Sequence, residues 1–124
     1  MKKVLVVDDS SAARQPIVLA LTQAGFEVVE AASGNDGLRT MDRDPLVGLV
    51  ICDVNMPRMN GLELVAAVKA KPRYASLPIV LLTTQARPRQ VERAKQMGAK
   101  GWIVRPFKAN LLVAAVRKLM AVPA

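Results

Sequence analysis

Five short apolar runs, most of them stopped by a polar residue, constrain this chain more than any other feature. They cover residues 4–7, 28–31, 47–52, 77–82 and 102–104. The first ends at Asp8 and Asp9, the third at Asp53, the fourth at Thr83 and Thr84, and the fifth at Arg105. Runs this short, rich in Val and Ile, read as strands. Their hydrophobicity is nearly continuous instead of alternating, the mark of a parallel sheet covered on both faces. Between them lie stretches with helical spacing. Ile17, Leu21 and Ala24 share one face. Leu38 and Met41 follow a start at Ser33, and Leu62, Val65 and Ala66 follow Asn60-Gly61. Val91 and Ala94 lead to Met97 and a capping Gly98. Leu111, Leu112, Ala115, Val116 and Leu119 make a final amphipathic stripe. Pro16 conflicts with the first helix, because it removes a helical hydrogen bond. That helix either begins two or three residues after Ser11 or bends near Pro16. Strand and helix alternate five times, which predicts an α/β fold: a five-stranded parallel sheet with right-handed crossovers and helices on both faces.

The length of 124 residues suits one domain, residues 1–124, with a single sizeable core. At 52% hydrophobic content, disorder is not expected. No apolar run is long enough to span a membrane, and Asp8-Asp9 interrupt the N-terminal run before it resembles a secretory signal. The lone Cys52 fits a reducing, cytoplasmic setting. The absence of histidine excludes histidine catalysis and histidine metal sites. The charge of +8 is unevenly spread: residues 1–53 carry net −3 and residues 54–124 net +11. The basic half suggests an anionic partner, with solvated helix faces as the plain alternative.

In an open α/β sheet, ligands gather at the carboxyl ends of the strands. There Asp8, Asp9, Asp53, Thr83 and Arg105 converge. Three adjacent carboxylates repel unless a cation lies among them, and oxygen-only donors favour a hard ion, Mg²⁺ before Zn²⁺. Mg²⁺ commonly shares its shell with phosphate, and a carboxylate beside it can attack phosphorus to give an aspartyl phosphate. Metal, hydroxyl and guanidinium would stabilise the transferring group. Each residue also has a structural reading: Asp8, Asp9 or Ser10 as a helix cap, Asp53 as a loop residue, Thr83 as a cap.

The motifs Val-Leu-Val-Val-Asp-Asp-Ser (4–10), Asp-Val-Asn-Met-Pro-Arg-Met-Asn-Gly-Leu-Glu-Leu (53–64), Leu-Leu-Thr (81–83), Met-Gly-Ala-Lys-Gly-Trp (97–102) and Arg-Pro-Phe (105–107) together resemble the receiver domain of two-component response regulators. The resemblance covers essentially the whole chain. It implies a flavodoxin-like strand order of 2-1-3-4-5 and makes Asp53 the phosphoacceptor. Asp9 would be the direct acidic Mg²⁺ ligand and Asp8 its partner through water, with the backbone carbonyl of Asn55 completing the set. Thr83 would bond the phosphoryl group, Trp102 takes the place of a switch aromatic, and Arg105–Pro106 that of a cis peptide. Asn55 and Gln85 occupy positions that tune hydrolysis of the aspartyl phosphate. The donor would be a phosphohistidine on a histidine kinase or phosphotransfer protein. Activity would be confined to the chain's own phosphorylation and dephosphorylation.

Arg105 departs from the family pattern, which has lysine before Pro-Phe, and the two are not interchangeable. The site then works normally, accepts phosphate but couples poorly to the switch, or is degenerate. The resemblance places the output on helix four, strand five and helix five. That region carries Arg87, Arg89, Arg93, Lys95, Lys100, Lys108, Arg117 and Lys118, which would suit an acidic target protein. A target-binding switch and a phosphorelay intermediate both fit. DNA binding is not expected without a helix-turn-helix pattern, and the chain reads as a monomer or weak dimer.

Overall fold

The computed structural model describes residues 2–85 and 87–121. The order is β1 (Lys3–Val7), α1 (Ser11–Gln23), β2 (Glu27–Ala31), α2 (Gly34–Arg43), β3 (Val47–Asp53), α3 (Gly61–Lys69), a 3-10 turn (Pro72–Tyr74), β4 (Ile79–Thr83), α4 (Pro88–Met97), β5 (Gly101–Val104) and α5 (Ala109–Ala121). All neighbouring strands pair in parallel, in the order β2-β1-β3-β4-β5. The reversal of order lies between β1 and β3, so the carboxyl ends of those two strands flank the crevice where ligands bind in such sheets.

The near-continuous apolar runs now have a cause. Alternate residues of each strand point to opposite faces, and in β1, β3 and β4 both faces are buried. The edge strands β2 and β5 are only partly covered, contrary to the expectation of five buried strands. Leu5, Val7, Val50, Cys52, Ile79 and Leu81 pack on one side with Met41 of α2, Leu64, Val65 and Val68 of α3, and Ala94 of α4. Val4, Val6, Leu49, Ile51, Val80 and Leu82 pack on the other with Ile17 and Leu21 of α1 and Leu112 and Val116 of α5. The helix starts have local causes as well. Ser10 and Ser33 accept from the N–H groups of Ala13 and Asp36, and Asn60 forms a reciprocal cap with Glu63. Gly98 closes α4 in the left-handed region at φ 109°.

Three local expectations are refined. α1 begins at Ser11 and runs through Pro16, which lies on its exposed side; of the two alternatives, the late start is ruled out. β4 begins at Ile79, because Leu77 is still held by a turn bond from its N–H to the Tyr74 carbonyl. Leu111 is not part of the buried stripe of α5 but 61% exposed, while Leu112 and Val116 carry the packing. Among the described residues no helix is long and apolar enough to cross a membrane.

Candidate functional site

The backbone brings the predicted acids together by simple registration. The Asp8 N–H donates to the Ala31 carbonyl, which holds the end of β1 against β2. Val54 N–H donates to Leu82 O at 2.9 Å and Arg105 N–H to Thr83 O at 2.7 Å, so the ends of β3, β4 and β5 stay level. Carboxylate oxygens of Asp8, Asp9 and Asp53 all lie within 4.8 Å of one another. Asp8, Asp53 and Thr83 are buried, whereas Asp9 faces solvent.

Each of these three buried side chains accepts from a nearby backbone N–H. Asp8 Oδ1 accepts from the Ser10 N–H at 3.0 Å. Asp53 Oδ1 accepts from the Asn55 N–H at 3.1 Å, which fixes the Asn55 backbone beside the carboxylate. Thr83 Oγ1 accepts from the Gln85 N–H at 3.2 Å, leaving its own hydroxyl hydrogen available. Arg105 reaches back over the site, with Nη2 2.8 Å from Asp8 Oδ2 and Nη1 3.5 Å from Asp53 Oδ2. Its shorter contact is therefore with Asp8 and not with Asp53. The Arg105–Pro106 bond is cis. Beside Arg105, a groove of about 480 Å³ is lined by Ala13, Pro16, Thr84, Pro106, Phe107 and Ala109.

The electrostatics of Asp53 follow from this packing. Burial raises its pKa above the ordinary carboxylate value, and the Asp8 charge pushes the same way. The Asn55 N–H and the Arg105 guanidinium pull it down without cancelling the rise. The folded state therefore holds this proton more tightly than the unfolded chain does. Ionised Asp53 costs stability, a cost absent below the unfolded pKa and fully present above the folded one. Asp53→Asn is expected to raise the melting temperature at pH 7 in chelator, by about 4 °C per kcal/mol recovered. The gain should vanish below about pH 4, where the wild-type carboxyl is protonated in both states; calorimetry across that range checks it.

The donor set suits a hard cation: three carboxylates, a neighbouring backbone, and neither His nor Cys ligands. Cys52 is fully buried, and burial pushes its thiol well above the usual range, so it serves the core. Trp102 is partly buried against the face that packs α3 and α4, and its buried Nε1 has no hydrogen-bond partner among the described residues. Arg87, Arg89, Arg93, Lys95, Lys100, Lys108, Arg117 and Lys118 are all exposed. They do not act alike: Arg87 donates to the Gln85 side chain. Arg117 turns to α1, donating to the Ala24 carbonyl and lying 5.9 Å from the Phe26 ring centroid.

One site residue escaped the sequence reading. Gly61 starts α3 so close to β3 that a Cβ there would lie 2.8 Å from the Asp53 carbonyl oxygen and 2.9 Å from Val54 Cα. Only the Asn60-Gly61 pair at the helix start hinted at it.

Comparison with known proteins agrees with this geometry. The response regulator receiver domain family matches residues 4–117. The chain is 40% identical over 111 residues to a chemotaxis protein CheY homolog of Campylobacter jejuni, covering 89% of this chain and 85% of that protein. It is equally similar to chemotaxis protein CheY1 of Helicobacter pylori, covering 89% and 90%. The solved structure of chemotaxis protein CheY4 of Vibrio cholerae superposes with a TM-score of 0.90 at 39% identity, covering 96% of this chain and 98% of that one. The chain therefore belongs to the response regulator receiver domains of two-component signalling and is CheY-like.

Proposed function

We propose that this receiver is a phosphorylation-dependent switch in which Asp53 takes a phosphoryl group from a phosphohistidine on a histidine kinase or phosphotransfer protein. The observation that carries the reading is the convergence of Asp8, Asp9 and Asp53 within 4.8 Å, with Thr83 and Arg105 at the adjoining strand ends. An Asp53 carboxylate oxygen forms the new O–P bond as the donor's N–P bond breaks and the imidazole leaves with the electron pair. Asp8, Asp9, Asp53 and the Asn55 carbonyl would hold Mg²⁺. When bound, that ion would neutralise charge on the carboxylates and on the phosphoryl oxygens. Thr83 donates its hydroxyl hydrogen to one phosphoryl oxygen, and Arg105 offers its guanidinium to another. Drawing Thr83 toward the phosphoryl group makes room on the inner side of β5, and Trp102 responds. The surface of α4, β5 and α5 then binds a target. Its exposed cations, such as Arg89, Arg93, Lys95 and Lys100, suit an acidic protein surface. The working compartment on this reading is the cytoplasm.

Beryllofluoride, a phosphoryl mimic, tests the reading. With Mg²⁺ it should shift the amide resonances of Thr83 and Trp102 in wild type and leave them unmoved in Asp53→Asn. Equal shifts in both proteins would sink it.

A further inference from the structure

The Arg105 guanidinium spans the acidic site. Nη2 lies 2.8 Å from Asp8 Oδ2, and Nη1 lies 3.5 Å from Asp53 Oδ2. Asp8 is only 1% exposed, and its other oxygen already accepts from the Ser10 N–H. Both Asp8 oxygens therefore have donors before any metal arrives. A divalent cation among Asp8, Asp9 and Asp53 would draw on the same carboxylates and would sit against a fixed positive charge, which repels it.

We infer that Arg105 and a hard divalent cation compete for Asp8, so that metal binding releases the guanidinium and makes it available to the phosphoryl group. The inference rests on the metal reading in the proposed function and adds an order of events. Asp8 is too buried to stand as an uncompensated charge. Arg105 supplies its partner when metal is absent, and the metal supplies it afterwards. The planar fork reaches the two carboxylates through two different nitrogens, Nη2 toward Asp8 and Nη1 toward Asp53, a geometry that a lysine ammonium does not reproduce. Coupled binding is reciprocal. Whatever affinity Arg105 takes from the metal, the metal takes from the Arg105–Asp8 contact. The metal thus comes first, the free guanidinium second and the phosphoryl group last.

Calorimetric titration of the unphosphorylated protein with MgCl₂ tests this in wild type, Arg105→Met, Arg105→Lys and Asp9→Asn. Arg105→Met should bind Mg²⁺ about tenfold more tightly than wild type, with Arg105→Lys between them. In wild type, saturating Mg²⁺ should shift the Arg105 Nε–H resonance and speed its exchange with water. Equal or weaker Mg²⁺ binding by Arg105→Met overturns the inference, and the metal reading survives if Asp9→Asn has lost binding. If wild type and Arg105→Met bind no better than Asp9→Asn, the metal reading falls and the inference with it. Should Arg105→Met fail to fold, Arg105→Lys and the wild-type resonance decide, and an Arg105 signal unmoved by saturating Mg²⁺ overturns the competition.

Discussion

Gly61→Ala is expected to destabilise the protein by about 3 kcal/mol, at the upper end of ordinary overpacking. The added methyl would meet the Asp53 carbonyl oxygen at 2.8 Å and Val54 Cα at 2.9 Å. Both are backbone atoms and cannot turn aside as a flexible side chain does. Gly61 N–H is itself bonded to Val54 O at 3.0 Å, so α3 is fastened to β3 at this point. Relief requires moving either the end of β3, which carries Asp53, or α3, which carries the buried Leu64, Val65 and Val68. A displacement of about 1 Å at a reacting group can cost 100-fold in rate, so phosphate acceptance should fall with stability. Gly25→Ala is the control. Its Cβ meets nothing within 4 Å, and only the left-handed φ of 96° opposes it, a cost of about 1 kcal/mol. Urea unfolding of both variants checks the argument, and a Gly61→Ala loss no larger than that of Gly25→Ala would refute it.

Asp9→Asn is expected to do the opposite. Asp9 is exposed, and among the described residues nothing donates a hydrogen bond to its side chain. Surface changes of this kind stay within about 0.5 kcal/mol. Its charge has no local structural task, yet it lies with the two buried acids inside one 4.8 Å cluster. Removing it should weaken Mg²⁺ binding and reduce phosphorylation at limiting Mg²⁺ by about 100-fold, as losing one preorganised electrostatic group does. High Mg²⁺ should restore part of the rate. The pair of variants thus separates architecture from chemistry. Unchanged Mg²⁺ affinity in Asp9→Asn would remove the acidic cluster from the account.

Much of this was legible in the chain because burial on both faces leaves a plain trace. Val4–Val7 and the run ending at Cys52 alternate between two cores, so no polar residue interrupts them. The acids then stand out at the strand ends. Strand order was not in the hydrophobic pattern and came from the resemblance in motifs. Other features depend on distances that sequence does not carry. Gly61 matters because α3 meets β3 end-on. Leu111 fits the helical stripe but projects beyond the surface that α5 packs against. That Arg105 makes its shorter contact with Asp8 depends on how its side chain crosses the site, which chain position does not show. Pro16 is tolerated on the exposed side of α1, where the helix continues past the missing bond.

The most direct measurement is intact-mass analysis after incubation with acetyl phosphate, with Mg²⁺ or with chelator, for wild type and Asp53→Asn. Wild type should gain the mass of one phosphoryl group only with Mg²⁺, in a linkage labile to hydroxylamine, and Asp53→Asn should gain none. Modification of Asp53→Asn to the wild-type extent, or of wild type equally in chelator, would contradict the assignment of Asp53 as a metal-assisted phosphoacceptor.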